Sequence, residues 1–365
     1  MDTTIAINAR DTATTAPPKR ALSTRIADDK AMLRTAAELT RDLLAPKPAV
    51  YWADLLMSAG IGYAALAAAI LAPSLGWALL AGAVAVLALY RAGSFIHEVS
   101  HIKHAALPGF RAGFNAVVGV PLMVPSFMYE GVHNLHHART RYGTVEDPEY
   151  LPLALMRPWT VPLFVAVAAL APVGLLIRYA LLTPLSFLVP GLRRAVIERF
   201  SALAINPQFR RRLPEGDART QWLRLEAATS AWAITLLTFV VTGVVPLRAF
   251  MIFLGVISAV TVINQVRTLV AHLWENEGEA MTVTAQYLDS VNVPPPALLP
   301  MLWAPVGLRY HALHHLLPGL PYHALGEAHR RLAGVLDSAS PYHKASYAGL
   351  PGLVGRLVRS TFRSQ

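Results

Sequence analysis

Nine of the 13 histidines fall into four short groups whose spacing suits metal binding. His97 and His101, in His97-Glu98-Val99-Ser100-His101, stand at i and i+4. On a helix they project about 40° apart and can grip one ion from one face. His133, His136 and His137 stand at i, i+3 and i+4, within about 100° of arc on a helix. The same spacing recurs at His311, His314 and His315, and His272 follows the last long apolar segment. Nine imidazoles are too many for one ion and suit two, with four or five ligands each. Imidazole accepts zinc, copper, iron or nickel, so ligand type leaves the metal open. Taken singly, any of these residues could be an unrelated interfacial histidine. Two identical HxxHH spacings and an HxxxH, all at segment ends, point instead to a common centre. The chain has no cysteine, which removes thiolate zinc sites, Cys-ligated iron–sulfur clusters, disulfide scaffolds and Cys nucleophiles.

The elements that must position these groups are apolar. Of 365 residues, 54% are hydrophobic and 15% charged, against roughly 25% charged in soluble domains. The net charge of +10 therefore reads as basic loops on a membrane protein, and no nucleic-acid partner is expected. Leu55–Tyr90 carries no charge and turns near Pro73-Ser74-Leu75-Gly76, which suits two spanning helices of about 20 residues each. Ala227–Leu247 and Ala249–Val266 form a second pair around Pro246. The expected fold is thus all-α and integral to the membrane, with four transmembrane helices in two hairpins and a cytoplasmic helical cap carrying the histidines. Arginines crowd Gly191–Arg224, whereas the hairpin turns hold only Arg248. This places that loop, the histidines and both termini in the cytoplasm. Pro158–Pro190 is apolar but interrupted by Pro162, Pro172, Pro184 and Arg178. A single crossing there would put the histidine groups on opposite faces, so it reads as re-entrant or interfacial, or else as a short double crossing. The expected divisions are 1–50, a cytoplasmic tail (disordered over 1–25) and amphipathic segment; 51–335, the membrane catalytic domain; and 336–365, a C-terminal cytoplasmic tail. Residues 1–50 are polar and carry Asp2, Asp11, Asp28 and Asp29, so no signal peptide is expected.

HxxxH, HxxHH and HxxHH around two hairpins resemble the membrane-bound fatty acid desaturase superfamily, in its bacterial form. Asp147-Pro148 after the second group and His314-His315-Leu316-Leu317-Pro318-Gly319 strengthen the likeness, which covers roughly residues 50–335. The resemblance implies a di-iron centre held by His97, His101, His133, His136, His137, His272, His311, His314 and His315, with O2 as co-substrate. It also implies acyl-lipid desaturation in a multi-pass protein of the bacterial inner membrane, in contact with membrane lipids. No Cys set and no His-Pro-Gly-Gly segment is present, so electrons are expected from a separate ferredoxin, rubredoxin or cytochrome b5 type carrier and its reductase. The Arg-rich loop could dock that carrier, although positive-inside topology explains the same residues. Animal acyl-CoA desaturases carry an Asn where this chain has Thr268; Asn264 lies two turns back.

Around the ligands, Asp147 is the first candidate to orient an imidazole through its Nδ1–H, with Glu98, Glu146 and Glu149 as alternatives. His104 could extend the first group or act as an outer donor. His323, His329 and His343 stay out of the centre, His329 on an exposed-looking helix. Trp222, Trp232, Trp274 and Trp303 read as interfacial anchors. A lipid or carotenoid hydroxylase or ketolase on the same scaffold is the alternative function. A metal transporter is disfavoured, because the uncharged segments hold no histidine near the midplane.

Overall fold

A computed structural model of the chain describes residues 26–363; the expected tail over residues 1–25 lies outside the described residues. Every regular element described is helical, with isolated backbone bridges only at His272–Ser290, Asn292–Tyr310 and Asn292–Ser346. Helix α1 (Lys30–Leu39) is capped by Asp29, which accepts from the Met32 N–H, and buries Met32 and Ala36. Helix α2 (Pro48–Leu71) opens on a proline, whose missing N–H is harmless in a first turn. Helix α3 (Leu75–His101) starts at a Ser74 cap and runs 27 residues. That length is roughly 40 Å, so it outlasts a hydrocarbon core of about 30 Å and carries His97 and His101 to the far side. The two helices meet at Gly62, where an added Cβ would come within 2.6 Å of Leu89. They are tied by Arg91, whose Nε donates to Asp54 Oδ1 at 2.7 Å.

Helix α4 (His133–His136) carries most of the second histidine group. The next segment departs from expectation. Thr160–Ser186 (α5) is 27 residues long and apolar enough to cross a membrane, so five helices qualify where the sequence pattern suggested four. Its prolines do not end the helix; it continues through a 3₁₀ turn at Val167–Leu170 and a π turn at Ile177–Leu182. Pro172 has no N–H to offer the Ala168 carbonyl. That oxygen accepts from Thr261 Oγ1 at 2.7 Å instead, and the Ala169 carbonyl accepts from Ser258 Oγ at 2.8 Å. Farther along, buried Arg178 donates to Glu226 Oε1 at 2.7 Å, to Ser201 Oγ and to the Phe200 carbonyl, and also contacts Thr183. Arg193, from α6 (Pro190–Phe200), takes the other Glu226 oxygen at 2.7 Å. Glu226→Gln would leave Arg178 buried without a counter-charge. A loss of about 3 kcal/mol or more is expected, read as a lower unfolding temperature in detergent.

Helices α7 (Gly216–Val241) and α8 (Leu247–Leu269) form the second hairpin. Beyond it, α9 (Val283–Asp289), α10 (His311–Leu316) and α11 (Leu325–Val335) build a layer against α1. Parts of residues 336–363 pack against the rest of the fold. Helix α12 (Leu350–Arg363) buries Leu353 against Val270 and Val291, and Leu357 near Trp274.

Candidate metal centre

The nine histidines converge from α3, α4, α10 and the loop after α8. Their donor nitrogens form two groups, each with its atoms within 4.8 Å of one another: His97, His101, His133, His137 and His314; and His136, His272, His311 and His315. The division cuts across the sequence groups. On α4, the i and i+4 residues His133 and His137 join the first group while His136 joins the second. On α10 the pattern is mirrored, with His311 and His315 in the second group and His314 in the first. His137 stacks on His315 across the boundary, with ring centroids 4.3 Å apart.

The scaffold orients three of the rings by hydrogen bonds to Nδ1. Leu313 N–H, in the uncapped first turn of α10, donates to Asn292 Oδ1 at 3.1 Å. His272 is held by its bridge to Ser290, with the Leu273 N–H donating to the Asp289 carbonyl at 2.7 Å. His133 Nδ1 donates to Glu149 Oε1 at 2.8 Å, and His136 Nδ1 lies 2.9 Å from Asp147 Oδ2. Tyr142 gives its hydroxyl proton to Asp289 Oδ2 at 2.7 Å, so its oxygen accepts from His272 Nδ1 at 2.8 Å. Each partner places the proton on Nδ1 and turns the bare Nε2 inward.

The donor set fits metal ions. Nε2 atoms approach one another at 3.0 Å for His133 and His137, 3.0 Å for His101 and His314, and 3.0 Å for His272 and His311. This is about the spacing of neighbouring donors around one ion at roughly 2.1 Å. Burial holds His133, His137, His272, His311, His314 and His315 well below the ordinary imidazole pKa, with adjacent imidazoles adding to the effect. Lone pairs therefore face lone pairs, an arrangement a shared cation satisfies. For His136 burial acts the same way, but Asp147 outweighs it and raises the value. Burial also pushes Glu149 up to about 7 and Asp289 up to about 6. His97 has both ring nitrogens buried without a partner.

The fatty acid desaturase family profile matches residues 75–347, most of the chain and all nine histidines. The chain belongs to the fatty acid desaturase family. Within this family it is 50% identical over 335 residues to a ceramide hydroxylase from Caulobacter vibrioides (strain NA1000 / CB15N), covering 92% of this chain and 95% of that protein. That relative corrects the expectation of acyl desaturation. The protein is an oxidoreductase of the desaturase and hydroxylase family, and the hydroxylase alternative fits better.

Other residues of this desaturase-family chain lie where the pattern suggested, or elsewhere. Asp147 is fully buried on His136, and Glu149 serves His133 in the same way. Glu98 accepts from Tyr51 OH and the Tyr322 N–H through Oε2, and its Oε1 lies 3.5 Å from His97 Nδ1; Glu146 is a surface partner of Arg141. His104 is half exposed, its Nε2 3.5 Å from Glu130, and forms no part of either group. Asn264 meets Thr268 through its backbone carbonyl alone. His323 accepts from the Lys47 N–H, and His329 is not exposed but bonded to Tyr342 OH at 2.9 Å. Trp222 and Trp274 are no interfacial anchors: Trp222 is buried on Phe127, and Trp274 packs 4.9 Å from the His272 ring. Tyr142 and Asp289 are new partners; Tyr142 is hidden in the sequence because it meets His272 and Asp289 across 130 and 147 residues. A cavity of about 880 Å³ opens onto His101, lined by Lys103, Arg111, Glu130, Arg210 and Arg212 among others.

Proposed function

We propose that this protein hydroxylates the lipid part of a ceramide, with two iron ions held by the five-histidine and four-histidine groups. The carrying observation is 50% identity across 92% of the chain to a protein named ceramide hydroxylase. The reaction balances as C–H plus O2, two electrons and two protons giving C–OH and water. Iron bound at the two groups would supply O2 activation, which side-chain acids and bases cannot. The chain's own residues do the rest. Asp147, Glu149 and Tyr142 hold three imidazoles by Nδ1–H, and burial of seven of the nine ligands keeps water out.

Four crossings remain our reading of the topology. His137 and His272 flank α5 and meet in one site, which requires an even number of crossings between them. With α7 and α8 each crossing once, α5 must return to the side it left. In support, Ala168 and Ala169 lie beside Ser258 and Thr261, inside the apolar part of α8, whereas Arg178 has come back to Glu226, where the charged start of α7 ends. By the positive-inside rule the centre and both termini face the cytoplasm of a bacterial inner membrane.

Electrons come, in this reading, from a separate acidic carrier of ferredoxin, rubredoxin or cytochrome b5 type with its reductase. The basic cavity beside His101 supports this. Not all of the Arg-rich loop is free for docking: Arg193 and Arg194 pair with Glu226 and Glu198, and buried Arg211 stacks over Trp222. Arg210 and Arg212 line the cavity. The test is mass spectrometry of lipids from ceramide-containing cells expressing this protein or its His315→Ala variant, with a ferredoxin and reductase supplied. Gain of one oxygen on ceramide, only with the intact protein, is expected; loss of two hydrogens, or unchanged ceramide, would overturn the reading.

A further inference from the structure

The stretch between α9 and α10 is apolar, yet it lies outside all five helices long enough to cross a membrane. Residues 290–308 carry no Asp, Glu, Lys or Arg. Pro294, Pro295, Pro296, Pro300 and Pro305 forbid a spanning helix there, and only one helical turn forms, at Pro300–Trp303. After α8 the described residues expose six large apolar side chains, and four of these, Leu298, Leu299, Met301 and Leu302, fall within five consecutive positions. Leu298, Leu299 and Met301 are 75%, 70% and 62% exposed. Single exposed leucines are ordinary, but a run of this kind marks an interaction surface.

Its height and its backbone identify what covers it. The Trp303 carbonyl accepts from the Tyr90 hydroxyl at 2.9 Å, and the turn packs on α3 and α8. Tyr90 is the last residue of the uncharged stretch that begins at Leu55. The Asp54–Arg91 ion pair stands just outside that stretch and marks the rim of the first hairpin on the side of the histidines. The apolar run therefore continues the lipid-facing surface of the spanning helices at that rim. The backbone is equally telling. The five prolines have no N–H to leave unmet. Arg309 donates from Nε to the Val293 carbonyl and from Nη2 to the Ala297 carbonyl, both at 2.8 Å. The N–H groups of Met301, Leu302 and Ala304 donate to the Leu298, Leu299 and Pro300 carbonyls at 3.0, 2.9 and 2.9 Å. A loop in water has no need of such internal pairing, whereas one at the edge of hydrocarbon does.

We infer that residues 297–303 are a membrane-inserting loop. Leu298, Leu299, Met301 and Leu302 enter the leaflet on the side of the histidines to a depth of about 5–10 Å, as interfacial segments do, and Trp303 lies at headgroup level. The partner is the acyl chains of the bilayer. Arg309, which clasps the loop, stands two residues before His311. The loop therefore sets the height at which α10 and its three histidines are held against the membrane.

The chain has no cysteine, so single cysteines can be labelled cleanly. Leu299→Cys and Met301→Cys are compared with Val84→Cys, exposed within the uncharged part of α3, and with Glu277→Cys in the charged stretch Glu275–Glu279. Each full-length variant carries a nitrobenzoxadiazole fluorophore in phosphatidylcholine nanodiscs, with or without bromine high on the acyl chains. Metal content equal to wild type verifies the fold, and if one loop variant misfolds the other decides. The brominated chains are expected to quench the labels at Leu299 and Met301 as they quench the label at Val84, with emission shifted to the blue. The label at Glu277 should respond only to aqueous iodide. Loop labels that escape the brominated chains overturn the proposal. If iodide then quenches them the loop is aqueous; if neither quencher reaches them, a second copy or another protein covers the run.

Discussion

His137→Ala is expected to insert and fold, yet to lose metal and at least about a hundredfold of its turnover. His137 Nε2 lies 3.0 Å from His133 Nε2 and 3.1 Å from His314 Nε2, so it closes a ring of donors rather than standing at its edge. Its imidazole also stacks on His315 of the other group. Alanine opens a gap beside both groups at once and leaves His133 and His314 with lone pairs directed at a poorly held ion. His315→Ala takes one donor from a group of four and should behave alike. Metal per protein by plasma mass spectrometry, with product formation on the same samples, checks both variants. Retained metal and turnover in either would remove that residue from the centre.

Asp147→Asn is expected to weaken metal binding about 10- to 100-fold while nearly preserving volume. The buried carboxylate meets three donors with two oxygens: His136 Nδ1–H, the Gly143 N–H at 2.9 Å and the Glu149 N–H at 2.8 Å. Asparagine must turn its NH2 toward at least one of those donors, leaving two hydrogens opposed in a dry site. The carboxylate also holds the loop that aims Glu149 at His133, so the damage reaches both groups. An iron titration of the variant, beside its unfolding temperature, measures the effect. Unchanged affinity would show that His136 is oriented by packing alone.

The histidines that converge were the most legible part of the chain. Spacings of three and four reflect the helical turn, and helices α3, α4 and α10 realise them directly. The partition was not legible. Residues within about 100° on one helix can share an ion or serve two, and which occurs depends on the facing helix. Asp147 could be found because it lies 11 residues from His136; Tyr142 reaches His272 only after the second hairpin has folded back. The character of α5 was hidden for another reason. Prolines predict interruption, but the hydroxyls of Ser258 and Thr261 that complete its backbone lie on a distant helix. The reaction's outcome was the least legible, since the same histidine spacing is expected for hydrogen removal and for oxygen insertion.

The mirrored sharing of α4 and α10 between the two groups governs when the centre can come into being during biosynthesis. His101 meets His314, 213 residues later in the chain. At translation rates of 5–20 residues per second, roughly 10–40 s pass between the emergence of one and the other. During that interval the five-histidine group lacks His314 and the four-histidine group lacks His311 and His315. Neither half can be finished ahead of its neighbour, because one short helix near the end of the chain completes both. The convergence of the nine histidines therefore waits for the last short helix, and a chain cut short before His311 would carry four histidines of the first group and two of the second.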